Sequence, residues 1–468
     1  MEILDNRALM PAYLPDDQVE LEGISPDWVK NLIIAEVRIK TATAEGTFAA
    51  AVKVLDHYAE MGVNALWLTP PYADSATYSV KHPDKLSSLI TGCDDAQEGF
   101  AAAKRFVDEA HRRNIRIFFD IVTWGTSKDS PLVTAHPDWY DNWREAYGGY
   151  VWKWSNTEWQ EWFTANAVEI VLKTGIDGYR CDLEPDNTGY DLFREVRRRL
   201  LEKGRKIAIF SEVVNRRLDT YDFEEVGVGS DENSEHHYNS FANYFLEKQP
   251  IVDCVKTGHG IGHKDLQAEG KGGEFRFYTN CVTCHDSRGS NVGLHPLTIG
   301  YAAILAPFIP LWFIGEEWGN PVDLTREGDG AMFFNVIDWS AMEKPENRAF
   351  FEKVKRYIRI RRERPAMFTC FPENHRRINI CEVKTDVQDG LQAYARFMDG
   401  RAVVVLPNNG EEARTISASL PLEEMGLSSG RPYRVVDLMT GEDAGELDEK
   451  GGFSAAILPG DFGVFEII

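Results

Sequence analysis

The chain has 468 residues, of which 43% are apolar and 27% are charged. This length and composition argue against a disordered protein and predict a soluble globular protein of about two domains. Its formal net charge of −23 arises from 74 acidic and 51 basic residues, and no block of Lys or Arg interrupts them. We therefore expect neither a nucleic acid nor a membrane as partner, whereas a neutral polyhydroxylated ligand is compatible with such a surface.

The N-terminus lacks a basic segment followed by an apolar run, and no stretch of the sequence approaches the length of a membrane span, so a cytoplasmic location is expected. The seven Cys are odd in number and scattered, which predicts reduced thiols. Cys281 and Cys284 have metal-site spacing, but no second pair accompanies them, and they are interpreted as packing residues. No cofactor is predicted.

Short β-branched and aromatic runs alternate with amphipathic stretches in the first 375 residues, which is typical of β-α units and a parallel sheet. Helical patterns cover 48–62, 99–114 and 158–175, with apolar residues three or four positions apart. Eight strands are predicted, at 32–37, 64–68, 115–122, 176–181, 207–213, 225–229, 276–282 and 311–315. Eight units predict a (β/α)8 TIM barrel over residues 1–375, with its working face at the C-terminal ends of the strands.

Two further regions differ from this alternation. Residues 124–156, after the third strand, are rich in Trp, Tyr, Asp and Gly and predict a short excursion over the working face. A helix at 357–366 closes the barrel. Residues 376–468 contain short alternating runs broken by Gly, Pro, Asn and Asp, which predict a C-terminal antiparallel β-sandwich.

Three predicted strand ends contain acids within apolar runs, namely Asp182, Glu212 and Asp286. Placing a carboxylate there is costly unless it has a purpose or a partner. Any one of them alone could cap a helix or pair with an arginine. Three of them at the strand ends of one barrel favour a functional site.

The spacing of Asp182 and Glu212 suits a particular chemistry. They are 30 residues apart, the length of one β-α unit, so they should lie at the ends of neighbouring strands. Cleaving a glycosidic bond with retention of configuration requires one ionised carboxylate and one carboxylic acid roughly 5–5.5 Å apart. We therefore predict that these two carboxyl groups face each other across one cleft.

The motifs around these acids resemble those of the α-amylase family of glycoside hydrolases. The stretch GYRCD, which ends in Asp182, resembles the nucleophile motif of that family, and IFSE, which ends in Glu212, resembles its acid/base motif. The resemblance implies that Arg180 holds Asp182 ionised. It also implies that Asp286, with His285 beside it, binds hydroxyls of the distorted sugar and stabilises the transition state.

Three more residues correspond less closely to positions of the family's substrate site. Asp120 resembles the acid of its first motif, Tyr78 the tyrosine that stacks under the reacting sugar, and Trp124 lies where that motif ends. The family normally has D-x-V-x-N-H here, whereas Trp124 and Gly125 replace the calcium-ligating Asn and the sugar-binding His. A Lys-His pair is also replaced, by Pro185 and Asp186. We therefore expect no bound metal and an altered pocket.

These observations leave two main functions open. One is a retaining glycosidase or glucosyltransferase on α-glucans or short α-glucosides, and the other is a weakly active or inactive barrel that binds carbohydrate or a protein partner. The three acids, together with Arg180 and His285, favour the enzyme. Metal-assisted chemistry on an unrelated barrel would need a ligand set that the sequence lacks. The sequence does not distinguish hydrolysis from glucosyl transfer.

Overall fold

The computed structural model describes residues 26–182, 192–212, 222–224, 246, 250–257, 279–285, 295–320, 335–368, 379–387 and 390–468. They belong to two compact units. The N-terminal unit contains the described residues up to 224 together with 335–337, and the C-terminal unit contains the others. None of the helices described is long and apolar enough to cross a membrane.

A parallel sheet forms the centre of the N-terminal unit. The strands of this unit are β1 (Ile34–Val37), β2 (Ala65–Leu68), β3 (Tyr72–Ala76), β4 (Ser79–Leu86), β5 (Arg116–Val122), β6 (Gly125–Ser127), β7 (Tyr140–Ala146), β8 (Gly149–Trp152), β9 (Gly178–Asp182), β10 (Ala208–Ser211) and β11 (Phe223–Glu224). Six of them pair in parallel in the order β11-β10-β9-β5-β2-β1. Nearly all the residues of β1, β2, β5, β9 and β10 are buried, which explains their continuous apolar runs.

Helices with clear end signals connect these strands. They are α1 (Phe48–Met61), α2 (Ala96–Arg112), α3 (Thr157–Thr174) and α4 (Leu192–Glu202). The side chains of Thr47, Asp95 and Asn156 accept backbone N–H bonds at the N-termini of the first three. Gly62 and Gly175 end α1 and α3 in the left-handed region, as the sequence predicts. Shorter helices span Val29–Asn31, Ile39–Ala42, Ser88–Thr91, Pro131–Ala135 and Pro137–Trp139.

The predicted excursion at 124–156 is a small antiparallel sheet, in the order β6-β8-β7. Its two ends meet, because the N–H of Trp152 donates to the carbonyl of Trp124 at 3.0 Å. Aromatic contacts fix it to α3: the rings of Trp139 and Trp162 are 5.1 Å apart and those of Trp152 and Trp159 are 5.5 Å apart. The excursion is therefore a folded element with its own packing.

The C-terminal unit begins with barrel elements and ends in antiparallel sheets. Strands β12 (Thr279–Cys281) and β13 (Ile309–Phe313) pair in parallel. A short helix (Ile251–Thr257), a buried π-helix (Leu297–Ile304), a 3-10 helix (Trp339–Glu343), the long helix α5 (Pro345–Glu363) and a short helix (Pro365–Phe368) make up its described helices. Helix α5 starts earlier than the predicted 357–366, because Pro345 provides a suitable first residue.

Two antiparallel sheets follow α5. Their strands are β14 (Ile380–Glu382), β15 (Lys384–Thr385), β16 (Tyr394–Met398), β17 (Arg401–Asn408), β18 (Arg414–Ser419), β19 (Arg434–Asp437), β20 (Asp443–Glu446), β21 (Gly452–Ile457) and β22 (Asp461–Ile467). One sheet has the order β14-β16-β17-β22-β19-β20 and the other β15-β18-β21. Apolar residues from both sheets, among them Val404, Ile416 and Phe453, form one buried core.

The fold is a (β/α)8 barrel with a C-terminal antiparallel β-sandwich, and the prediction of the fold class is confirmed. Seven of the eight predicted barrel strands coincide with described ones. The sixth was predicted at 225–229, which lies outside the described residues, and the structure has a two-residue strand, β11, immediately before it. The domain boundary near residue 375 stays a prediction.

Candidate active site

The C-terminal ends of β5, β9 and β10 bring four of the predicted site residues together. In the parallel register, Asp120 of β5 is opposite Arg180 of β9, and Val122 is opposite Asp182. The N–H of Glu212, which follows β10, donates to the carbonyl of Cys181 at 3.0 Å. Because parallel strands end at the same edge of the sheet, the three acids and the arginine share one end of the N-terminal unit.

Arg180 is the centre of this cluster. Its side chain is fully buried, and its Nη1 lies 2.9 Å from Oδ1 of Asp182 and 3.2 Å from Oδ2 of Asp120. Its Nη2 lies 3.2 Å from Oε1 of Glu212. One guanidinium group therefore bridges Asp182 and Glu212, which lie on neighbouring strands as the sequence predicts. A separation of roughly 5–5.5 Å between their carboxyl groups stays a prediction.

The charges of the cluster do not balance, because three carboxyl groups surround one guanidinium. Burial and the nearby charge of Glu212 raise the pKa of Asp182 well above its usual range, and Arg180 only partly opposes them. Two carboxyl groups coupled in this way hold a proton between them more tightly than either would alone. The pair is therefore suited to act as one acid and one base.

The two oxygens of Asp182 have different surroundings. Oδ1 accepts from Arg180 at 2.9 Å. Oδ2 is buried and has no hydrogen-bond partner among the described residues. A buried carboxylate oxygen without a partner is costly, and such oxygens concentrate at reactive sites. Oδ2 is therefore the oxygen of Asp182 that no described residue binds.

Asp120 supports its neighbours from a fully buried position. It accepts hydrogen bonds from Nε1 of Trp67 at 3.1 Å and from the hydroxyl of Tyr78 at 2.7 Å, in addition to Arg180. Burial and the charge of Asp120 raise the pKa of Tyr78 well above its usual range, so that its hydroxyl remains a donor. The structure thus joins Tyr78 to the cluster, while direct contacts of Asp120 and Tyr78 with a substrate stay predictions.

Trp124 lies at the base of the small antiparallel sheet and is only 4% exposed. Its ring lies 5.4 Å from that of Tyr147, at the turn between β7 and β8. The predicted contact of Trp124 with substrate stays a prediction. The aromatic residue exposed beside Trp124 is Tyr147, which the sequence did not single out. The signal for Tyr147 is the Tyr-Gly-Gly run at 147–149, which is typical of a tight hairpin turn.

Gly125 is required by the small sheet for steric reasons. A Cβ atom at this position would lie 2.0 Å from the carbonyl oxygen of Tyr150 on the paired strand. This close approach of two backbones explains why the histidine of the related motif cannot occupy the position in this chain. The glycine at position 125 of the first motif therefore allows β6 to pair closely with β8 in the excursion.

His285 and Asp286 belong to the C-terminal part of the chain. His285 is described and buried, four residues after the end of β12, whereas Asp286 lies outside the described residues. Cys281 and Cys284 are buried free thiols, as predicted. Within the described ranges no three His, Cys, Asp or Glu side chains form a group suited to a metal ion. The expected absence of calcium stays a prediction, since Asp186 is also outside these ranges.

A (β/α)8 barrel whose strand ends present two arginine-bridged carboxyl groups defines a class of enzyme that performs acid–base and nucleophilic chemistry at its C-terminal face. Comparison with known proteins indicates which enzymes of this class the chain is similar to. No protein-family model matches the chain.

Two characterised proteins match most of the sequence. The chain is 22% identical to malto-oligosyltrehalose trehalohydrolase of Deinococcus radiodurans, over 84% of its own length and 75% of that protein. It is 24% identical to neopullulanase 2 of Thermoactinomyces vulgaris, over 85% of its own length and 67% of that protein. In three dimensions it resembles the α-amylase of Geobacillus thermoleovorans solved with acarbose, with a TM-score of 0.69, 15% identity and coverage of 94% and 98% of the two chains. These comparisons support the assignment of the chain to the α-amylase family of glycoside hydrolases.

Proposed function

We propose that this chain cleaves or transfers α-glucosidic linkages with retention of configuration, with Asp182 as nucleophile and Glu212 as general acid and base. The observation that carries this proposal is the bridging of both carboxyl groups by Arg180 at 2.9 and 3.2 Å. Acting on O-glycosyl bonds is the activity of the family. The assignment of individual residues to its steps is the proposal.

In the first step, Oδ2 of Asp182 attacks the anomeric carbon while Glu212 gives its proton to the departing glycosidic oxygen. The bond between that carbon and the leaving oxygen breaks, and an ester links the sugar to Asp182. In the second step, Glu212 removes a proton from water or from a sugar hydroxyl, which attacks the same carbon and releases Asp182. Two inversions at one carbon give net retention.

The electrostatics of the cluster explain how Glu212 can change from acid to base. While Asp182 is ionised, its negative charge and that of an ionised Glu212 oppose each other, so the pair favours a state in which one of the two carries a proton. Once Asp182 is esterified, that charge disappears. Arg180, 3.2 Å from Glu212, then stabilises the carboxylate that the second step requires.

The remaining predicted residues complete the proposal. Asp286 would stabilise the positive charge that develops on the sugar, and His285 would bind a hydroxyl of the same ring. Tyr78, held by Asp120, would stack against that ring. These roles rest on the resemblance of the motifs. A cytoplasmic location likewise rests on the sequence alone.

The substrate class follows from the family and from the surface charge. We infer an α-glucan or a short α-glucoside, because the relatives named above are by name a malto-oligosyltrehalose trehalohydrolase and a neopullulanase, and a chain of net charge −23 does not repel a neutral sugar. A barrel that only binds sugar is the weaker alternative, because the buried, unpartnered oxygen of Asp182 would then be a cost without a function.

The proposal is tested by a screen of the purified protein on maltooligosaccharides, isomaltose, trehalose and sucrose, with products read by chromatography. Glu212→Gln should lower turnover by orders of magnitude on the best substrate, and by much less on α-glucosyl fluoride, whose leaving group needs little protonation. Asp182→Asn should gain no such relief. Equal background activity of the wild type and both variants would contradict the proposal and favour the binding alternative.

A further inference from the structure

The backbone of Asp182 is held by hydrogen bonds on both sides of its α-carbon. On the preceding side, the carbonyl of Cys181 accepts the N–H of Glu212 at 3.0 Å. On the following side, the carbonyl of Asp182 itself accepts the N–H of Thr123 at 3.3 Å. Each of these carbonyls lies in one of the two planar peptide groups that flank the α-carbon. The two bonds therefore restrict both backbone dihedral angles of Asp182, and with them the direction in which its side chain leaves the strand.

Thr123 binds the carbonyl of Asp182 a second time, through its side chain. Its Oγ1 donates to the carbonyl oxygen of Asp182 at 2.5 Å, and the residue is fully buried. This distance lies at the short end of the range for hydroxyl donors, and it is shorter than the 3.3 Å of the bond from the N–H. A carbonyl oxygen has two lone pairs, so both bonds form at once. The hydroxyl of Thr123 is thus the closer of the two donors that hold this carbonyl.

The position of Thr123 follows from the register of the parallel strands. Val122, the last residue of β5, is opposite Asp182, the last residue of β9. Thr123 comes directly after β5, and its bonds continue the pairing of the two strands by one residue. A valine at position 123 would suit the extended backbone equally well. It would bring no donor, however, and its methyl group could not approach the carbonyl oxygen to 2.5 Å.

The side chain of Asp182 is held as well, because Oδ1 accepts from Arg180 at 2.9 Å. With the backbone bound by Thr123 and one carboxylate oxygen bound by Arg180, the position of Oδ2 is determined. A nucleophile must lie close to the carbon it attacks and in line with the bond that breaks, and a displacement of about 1 Å costs on the order of 10²-fold in rate. Loss of a bond to the backbone of Asp182 should therefore slow the chemical step.

We propose that Thr123 is a positioning residue for the nucleophile, and that its hydroxyl holds the backbone of Asp182 so that Oδ2 faces the anomeric carbon. The inference rests on the proposed function and adds to it a residue that acts without contacting the sugar, since Thr123 is fully buried. Such a residue affects the rate of the first step and leaves the affinity for the substrate unchanged.

The test compares Thr123→Ala and Thr123→Ser with the wild type, because these two variants differ from each other only in the hydroxyl. Single-turnover release of fluoride from α-glucosyl fluoride, with the enzyme in excess, measures the maximal rate and the half-saturating concentration separately. Thr123→Ala should lower the maximal rate on the order of ten-fold and keep the half-saturating concentration within about two-fold. Thr123→Ser should retain most of the wild-type rate. Thr123→Val, a second variant without the hydroxyl, should be at least as slow as the alanine variant.

Thr174→Ala is the matched control. Thr174 is also fully buried, and its Oγ1 also donates to a backbone carbonyl, that of Ile170, at 2.6 Å. It ends helix α3 and precedes β9 in the sequence, whereas Asp182 is the last residue of β9. Its replacement removes a comparable bond away from the nucleophile, so the maximal rate per folded molecule should stay within about two-fold of the wild type. Urea denaturation gives the folded fraction of each variant.

Three results would overturn the inference: wild-type rates in Thr123→Ala and Thr123→Val, equal losses in the alanine and serine variants, or an equal loss in Thr174→Ala. In each case a wild type that releases fluoride faster than Asp182→Asn leaves the proposed function intact. A wild type no faster than Asp182→Asn would contradict the proposed function and the inference together.

Discussion

The two ends of strand β9 carry buried carboxyl groups with opposite surroundings. Asp177, immediately before the strand, and Asp182, its last residue, are each 5% exposed. Asp177 is fully satisfied: Oδ2 contacts Nε2 of His111 at 2.7 Å and accepts the N–H of Ile117 at 2.9 Å, and Oδ1 accepts from Arg116 at 3.0 Å. Asp182 shares Arg180 with two other acids, and its Oδ2 has no partner in the described part of the chain.

The difference teaches that burial alone does not indicate function. In a (β/α)8 barrel the N-terminal ends of the strands are devoted to stability and the C-terminal ends to chemistry. Asp177 contributes to the fold because each of its oxygens is bound. Asp182 is left partly unsatisfied, among charges that oppose its own, at the end of the strands that holds the chemistry in such barrels.

The largest expected effect is on turnover, and it sharpens the contrast between the two ends. Asp182→Asn removes the nucleophile and should lower kcat on the best α-glucoside by about 10³-fold or more. Asp177→Asn should leave kcat per folded molecule within about two-fold, because it touches only the scaffold. Steady-state assays normalised to folded protein measure both. Comparable losses in the two variants would break the comparison.

The second effect is on stability, and here Asp177, and not Asp182, is the residue whose replacement should destabilise the protein. Asp177→Asn replaces a carboxylate that binds three donor groups with an amide that cannot accept through its nitrogen, so the free energy of unfolding should fall by about 2 kcal/mol. Urea denaturation followed by fluorescence measures the change. A variant as stable as the wild type would show that Asp177 does not stabilise the base of the barrel.

The third effect is on the pH dependence of kcat/KM. A nucleophile must be ionised, and the pKa of Asp182 is raised by burial and by the charge of Glu212, so activity should fall with decreasing pH well above the ordinary aspartate value of 3.8. Asp120→Asn removes another negative charge and should move this acid limb to lower pH, by about one unit. Profiles of both proteins on α-glucosyl fluoride test this. A shift to higher pH in the variant would contradict the assigned charges.

The smallest effect is a gain in stability in Asp182→Asn. Because the pKa of Asp182 is raised on folding, the folded wild type binds its proton more tightly than the unfolded chain does, and its stability decreases as pH rises from about 4 through the folded-state pKa. The Asp182→Asn variant has no carboxyl group at this position, so its stability does not fall in this way as pH rises. It should therefore be more stable than the wild type at neutral pH by about 1 kcal/mol, with no such difference below about pH 4. Denaturation at pH 3.5 and at pH 7 provides the measurement, and a gain that persists at the lower pH would have another cause.

The sequence predicts the barrel and the position of its acids because both depend on short stretches of neighbouring residues. A buried parallel strand appears as an apolar run, and an acid at the end of that run stands out, as Asp182 and Glu212 do. Two helix ends are equally local, as Gly62 and Gly175 show.

The contacts that join these elements are not local, and the sequence does not reveal them. Arg180 bonds to residues 60 positions before it and 32 positions after it, so its bridging role depends on strand register. The contact between Tyr147 and Trp124 likewise depends on the hairpin that joins β7 and β8. The fold of the excursion was missed for a related reason, because its strands are short and one of them contains a bulge between Tyr140 and Glu145.

The hydrogen bond between Trp152 and Trp124 joins the two ends of the excursion, so this segment can be exchanged as a unit. A segment that leaves and re-enters the barrel at one point can grow, shrink or be replaced without displacing the strands on either side of it. What a replacement must reproduce is the aromatic contact with α3 that Trp139 and Trp152 make. The excursion is thus separable from the strand ends that hold Asp182 and Glu212, and the two are open to independent redesign.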